Sequence, residues 1–163
     1  MPDKTNEPVY TFDAAKLKLE SYCAYQERSQ QEVREKLYKM KLPTAQINEI
    51  IADLIANNFL NEARFAHAYV SGKFRMKKWG KNKIKQGLKL KGITAPLIKK
   101  ALATIPEEAY LETLATLLAK KHRELGLKKD LKTKNKLFSY AFSKGYESHL
   151  IFLTLNNNEL EEF

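Results

Sequence analysis

The 163-residue chain has little cysteine, glycine or proline: one Cys, six Gly and five Pro. A single thiol excludes a disulfide scaffold and a zinc site built from cysteines. Sparse Gly and Pro exclude a collagenous or linker-rich chain and favour helices. No apolar run approaches the ~18–20 residues that cross a bilayer. The start MPDKTNEPVY has no apolar secretory segment. A cytoplasmic protein is therefore expected. His67, His122 and His149 lie far apart, and none stands in HxxxH, HExxH or CxxC spacing. They read as surface or interhelical side chains, and no metal or cofactor is expected. Cys23, in an apolar stretch, is expected to be buried and inert. No GxxxxGK(S/T), GxGxxG or GxSxG string occurs, so phosphate-loop and nucleophile-elbow chemistry has no support. The carboxylates fall at helix starts and on polar faces, and no catalytic role is expected.

A further scarcity is local. The formal net charge is +10, but residues 63–105 hold 12 basic side chains and no Asp or Glu. Residues 1–62 hold 8 basic and 10 acidic side chains, and residues 106–163 hold 9 of each. The whole excess thus lies in 43 consecutive residues. Lys81, Lys85 and Lys89 recur every four positions, where like charges on a helix each cost a few tenths of a kcal/mol. A solvated lysine face would account for a short charge run. Such a run without a single acid points instead to a polyanion or an acidic partner.

Hydrophobic content of 44% excludes wholesale disorder. The apolar spacing is helical nearly throughout. Ile47, Ile50, Ile51, Leu54 and Ile55 form one stripe; Val33, Leu37 and Met40 form another. Further stripes run through Leu97, Ile98, Ala101, Leu102 and Ile105, and through Leu111, Leu114 and Leu118. Ser29 with Glu32 reads as a capping box. Thr44, Asn61 and Thr94 are candidate N-caps, and Pro106 is expected to open a helix. Gly92 and Gly145 are expected to end helices in the left-handed conformation. About nine short helices are expected.

The chain also repeats itself. Shifted by about 53 residues, Ile84, Leu88 and Ile93 fall on Leu137, Ala141 and Tyr146, and Ile98 falls on Ile151. Shifted back by 51, they fall on Val33, Leu37, Leu42 and Ile47. Three tandem three-helix repeats of about 50 residues are expected, stacked in an elongated, curved array. The expected organisation is a flexible N-terminus over 1–10 and a first repeat over 11–60. A basic second repeat spans 61–105 and a third spans 106–156. A flexible acidic end covers 157–163.

The candidate binding residues lie in the second repeat: Lys73, Arg75, Lys77, Lys78, Trp79, Lys81, Lys83, Lys85, Lys89 and Lys91. On a helical wheel Lys78, Lys81, Lys85 and Lys89 share one quadrant beside the apolar Ile84 and Leu88. Such a ridge can track a phosphate backbone or a row of carboxylates, and its lysines position a polyanion without reading bases. Tyr69, Phe74 and Trp79 stand among Lys73, Arg75, Lys77 and Lys78, a mixture that suits single-stranded nucleic acid. Phe65, Tyr69 and Phe74 equally fit a core stripe, which is the favoured reading. Trp79, just before Gly80, either covers the helix joint or stands exposed to stack on a base.

Three strings carry a family resemblance that runs from about residue 14 to 155. Ser29-x-x-Glu32-Val33-Arg34-x-x-Leu37 is the first. Phe59-Leu60-Asn61-Glu62-Ala63-Arg64-Phe65-Ala66 is the second. Trp79-Gly80-x-x-Lys83-Ile84-x-x-x-Leu88-x-x-Lys91-Gly92-Ile93 is the third. Together they resemble the signatures of RecX regulatory proteins. Asn61 stands where that family favours Asp, Lys41-Leu42 replaces a glycine turn, and the third repeat matches loosely. The resemblance implies an all-α protein of three tandem three-helix repeats. It implies binding in the groove of the RecA recombinase filament, with modulation, usually inhibition, of its ATPase, strand-exchange and coprotease activities in DNA repair and the SOS response. It also implies no enzymatic activity. Phe59, Arg64 and Phe65 would then join repeats rather than contact a partner. DNA, single- or double-stranded, would be met directly or through RecA. No membrane partner is expected, and nothing demands a dimer. The alternative from charge alone is a general helical nucleic-acid-binding module without a recombinase partner.

Overall fold

In the computed structural model the described residues are 10–157. They form nine helices and no strand. The helices are α1 (Phe12–Tyr25), α2 (Gln30–Lys39), α3 (Thr44–Ala56), α4 (Glu62–Lys77), α5 (Lys81–Leu90), α6 (Ala95–Leu102), α7 (Glu107–Glu124), α8 (Leu131–Ser143) and α9 (Ser148–Asn157). The frayed ends expected over 1–10 and 157–163 fall outside the described residues, except that Tyr10 precedes α1 and Asn157 closes α9. By packing, the chain divides into two compact units. One holds the chain up to Phe65 with Lys91–Ile93; the other holds Ala66–Leu90 and the chain from Thr94 on.

In the first unit α3 packs against both α1 and α2. Ala15, Leu19, Val33, Leu37, Ile47, Ile50 and Leu54 are fully enclosed there. Cys23 joins this core, and burial pushes its thiol up to about 11. In the second unit α5 packs on α6, while α7, α8 and α9 pack on one another. The repeat register is a register of burial: Val33, Leu37, Leu42 and Ile47, their counterparts Ile84, Leu88, Ile93 and Ile98, and Leu137, Ala141, Tyr146 and Ile151 are all buried. Each Val, Leu or Ile among them removes apolar surface worth about 1.5–3 kcal/mol from water.

The turns repeat as well. Two residues beyond α2, α5 and α8 the backbone is left-handed, at Lys41 (φ 60°), Gly92 (φ 76°) and Gly145 (φ 100°). The first of these, a lysine, takes a conformation that glycine adopts freely and a residue with a Cβ resists.

Helix starts follow the expected chemistry in part. Ser29 Oγ accepts from Glu32 N–H at 3.1 Å while Glu32 accepts from Ser29 N–H, a complete capping box. Asn61 Oδ1 accepts from Arg64 N–H at 2.9 Å. Thr44 does not cap; Pro43 holds that place with extended backbone, and its carbonyl accepts from Ile47 N–H at 3.0 Å. Pro106 likewise stands one position before α7 instead of opening it. Thr94 precedes α6 without a side-chain hydrogen bond. Ile55 leaves the expected stripe and is exposed.

Candidate polyanion interface

The basic segment is built around the start of α5. No residue just before this helix offers a capping side chain, so its free N–H groups are met from the third repeat. Gly80 N–H donates to the Lys144 carbonyl at 2.8 Å, and Asn82 N–H donates to the Gly145 carbonyl at 2.9 Å. Lys81 N–H donates to the Tyr110 hydroxyl at 2.9 Å, and that hydroxyl donates to Glu147 Oε1. The Tyr146 hydroxyl donates to the Lys78 carbonyl at 2.8 Å, holding Lys78 in the left-handed region at φ 59°. A Cβ on Gly80 would collide with the Gly145 backbone, and one on Gly145 with Lys83. Burial and the neighbouring Glu147 push the Tyr110 hydroxyl well above the usual range for a phenol. Burial does the same to Tyr146.

These bonds distribute the ten candidate residues. Arg75, Lys77, Lys78, Lys85 and Lys89 are exposed, while Lys73, Trp79, Lys81, Lys83 and Lys91 are half-buried. Because α5 begins at Lys81 and Lys78 is left-handed, the wheel angle that groups Lys78 with Lys81, Lys85 and Lys89 does not apply to it. Lys73 and Lys83 place their ammonium groups 4.8 and 4.5 Å from the Trp79 ring centre. The indole at the helix joint is thus already engaged by two cations. Lys81 lies 4.8 Å over the Tyr110 ring. Lys91 pairs with Glu32 at 2.9 Å, a structural use that sets it apart from the exposed lysines. Phe65 is buried, and Phe74 packs 6.0 Å from Tyr110. Tyr69 lies over Gly87, where any Cβ would strike its hydroxyl. Arg64 bonds Glu27 at 3.0 Å and the Asn58 carbonyl at 2.7 Å, a joint rather than a contact surface.

Two clefts collect the remaining charge. In one, of about 380 Å³, Lys77 and Lys78 meet Lys120, Lys121, Lys144 and Tyr140 together with the carboxylates of Glu112 and Glu124, the latter paired with Lys121 at 3.6 Å. In the other, of about 530 Å³, Lys83, Lys85 and Lys89 meet Phe142 at the end of α8. The third repeat thus contributes residues that charge counting alone passes over, because its own acids balance its lysines. Among the described residues no group of three or more His, Cys, Asp or Glu could hold a metal ion. His67 and His149 are exposed; His122 is buried, with Nε2 2.9 Å from the Lys128 carbonyl. No described helix is long and apolar enough to cross a membrane.

Comparison with known proteins places this arrangement. The family model for the first three-helix domain of RecX matches residues 15–54, the second matches 61–102 and the third matches 107–155. The chain belongs to the RecX family. The regulatory protein RecX of Bacillus cytotoxicus is 31% identical over 142 residues, 87% of this chain and 52% of that protein. RecX of Lactococcus lactis subsp. lactis is 33% identical over 143 residues, 86% of this chain and 53% of that protein. The chain spans about half the length of these curated relatives. The crystal structure of RecX from Lactobacillus salivarius superposes with a TM-score of 0.82 at 25% identity, covering 93% of this chain and 97% of that one. The fold is therefore the RecX arrangement of three tandem three-helix domains.

Proposed function

We propose that the chain is a non-catalytic regulator of the RecA recombinase. It binds the RecA filament and lowers its ATPase, strand-exchange and coprotease activities, as DNA repair and the SOS response require. The basic face of residues 73–91 meets DNA or acidic protein surface in the filament and acts by occupancy. The observation that carries this reading is α5, whose exposed lysines no acid neutralises between residues 63 and 105 and whose start is anchored to the third domain. Family membership supports it. The second reading, a general nucleic-acid module, draws on the cleft that Lys83, Lys85 and Lys89 line without a carboxylate.

RecA's ATPase on single-stranded DNA, measured with and without the chain, tests the first reading. The wild type lowers the rate, and Lys81, Lys85 and Lys89→Glu together restore it while the variant stays folded. A folded triple variant that inhibits normally removes the basic face from the mechanism. The second reading requires strong salt dependence without RecA; six phosphate contacts give a slope of about −4 in log K against log salt for single strands.

A further inference from the structure

The cleft beside α5 has an aromatic side that the lysine face does not explain. The Phe138 ring stacks on Phe142 at 5.8 Å and 14°, and on Phe152 at 4.8 Å and 29°. Phe142 remains 54% exposed and Phe152 48%. Rings buried for stability alone would face the core, as Leu137 and Ala141 of the same helix do. Phe142 lines the 530 Å³ cleft to which α5 contributes Lys83, Lys85, Lys89 and the amides of Asn82 and Gln86. No carboxylate lines that cleft.

We propose that this cleft binds an unpaired nucleotide of single-stranded nucleic acid, with the base stacked on Phe142 and the flanking phosphates held by Lys83, Lys85 and Lys89. The inference rests on the basic face assigned above and deepens it by naming the polyanion. Lysines satisfy phosphates and carboxylates alike, but an exposed aromatic face beside them matches a strand that alternates charge with flat rings. The volume lies within the ~300–1,000 Å³ of pockets that enclose a group of nucleotide size. The hydrogen-bonding amides of Asn82 and Gln86 can meet the base edge. A duplex keeps its base faces stacked internally, so the site favours single strands. Phe142 is then a specificity-determining residue contributed by the third domain to a face that the second domain charges.

The test compares a labelled thymidine 15-mer with an abasic deoxyribose-phosphate strand of equal length, by fluorescence anisotropy at one salt concentration. The two carry the same phosphates and differ only in bases. The wild-type chain binds the thymidine strand roughly tenfold more tightly. Phe142→Ala and Phe142→Leu abolish that difference, and Phe142→Trp keeps it. Lys85→Glu with Lys89→Glu weakens both strands alike. Equal wild-type affinity for the two strands overturns the stacking site, as does a preference that survives in a folded Phe142→Ala variant. Tighter binding of polyglutamate than of the thymidine strand also overturns it, in favour of an acidic peptide. So does a dimer that Phe142→Ala dissociates, which would make the patch a self-interface. Lysine variants that bind both strands like the wild type remove the basic-face reading itself; losing only the base-dependent difference leaves that reading standing.

Discussion

Helices α2 and α5 hold the same place in successive domains, and their buried stripes coincide: Val33 and Leu37 in one, Ile84 and Leu88 in the other, all fully enclosed. They differ in how they begin and in what they show to solvent. α2 starts from a capping box that lies within its own four residues and carries Glu32 and Glu35 among its basic side chains. α5 carries four lysines and no acid, and its first N–H groups are met by residues of α7 and of the α8–α9 turn. A core can therefore be repeated while its caps and outward face are reassigned. The domain that gave up local capping is the one that presents the charge.

The difference can be broken most severely at Gly145. Gly145→Ala adds a Cβ at φ 100° directly against Lys83, and it is expected to lower unfolding free energy by about 3 kcal/mol in urea denaturation. Next comes Tyr110→Phe, which removes the acceptor for Lys81 N–H and the donor to Glu147. A loss of about 2 kcal/mol is expected. The same variant has a pH signature. The folded chain holds Tyr110 and Tyr146 protonated above their ordinary value of 10.0, so stability is full below pH 10 and falls as pH rises beyond it. Tyr110→Phe makes that alkaline decline shallower, which urea midpoints between pH 9 and 11 report.

On the other side of the comparison, Ser29→Ala breaks the local cap of α2. About 1 kcal/mol is expected, readable as a lower thermal midpoint. The smallest effect sharpens the likeness instead. Lys41→Gly gives the first domain the turn residue its two counterparts carry, and it is expected to stabilise the fold by about 0.5–1 kcal/mol. A destabilised Lys41→Gly variant would mean that the lysine side chain holds the turn by its contacts.

This contrast also explains what was legible in the sequence. The capping box, the buried stripes and the three-part register could be read because each rests on residues within a turn or two, or on a pattern that recurs. The start of α5 could not, since Tyr110 and Gly145 are ordinary residues until the fold brings them to Lys81 and Asn82. The grouping of Lys78 with the α5 lysines failed for the same reason: a left-handed backbone, held by a tyrosine 68 positions away, breaks the wheel. Phe142 did leave a trace. With Leu137 and Ala141 fixed on the core face by the repeat, Phe138 and Phe142 fall one step off it.

The bond from Tyr146 to the Lys78 carbonyl has a consequence for biosynthesis. The cap of α2 is closed by Ser29 and Glu32 themselves, so a chain made from its N-terminus has it complete once α2 and the α3 it packs against have emerged. The start of the basic helix gains its partners only once Tyr110, Lys144 and Gly145 have left the ribosome, and closing so long a loop is slow compared with winding a helix. Until then the lysine-rich stretch is tethered at neither its cap nor its joint. The order of synthesis thus leaves the joint at Lys78 and the start of α5 to be fixed last, once the third domain has been made.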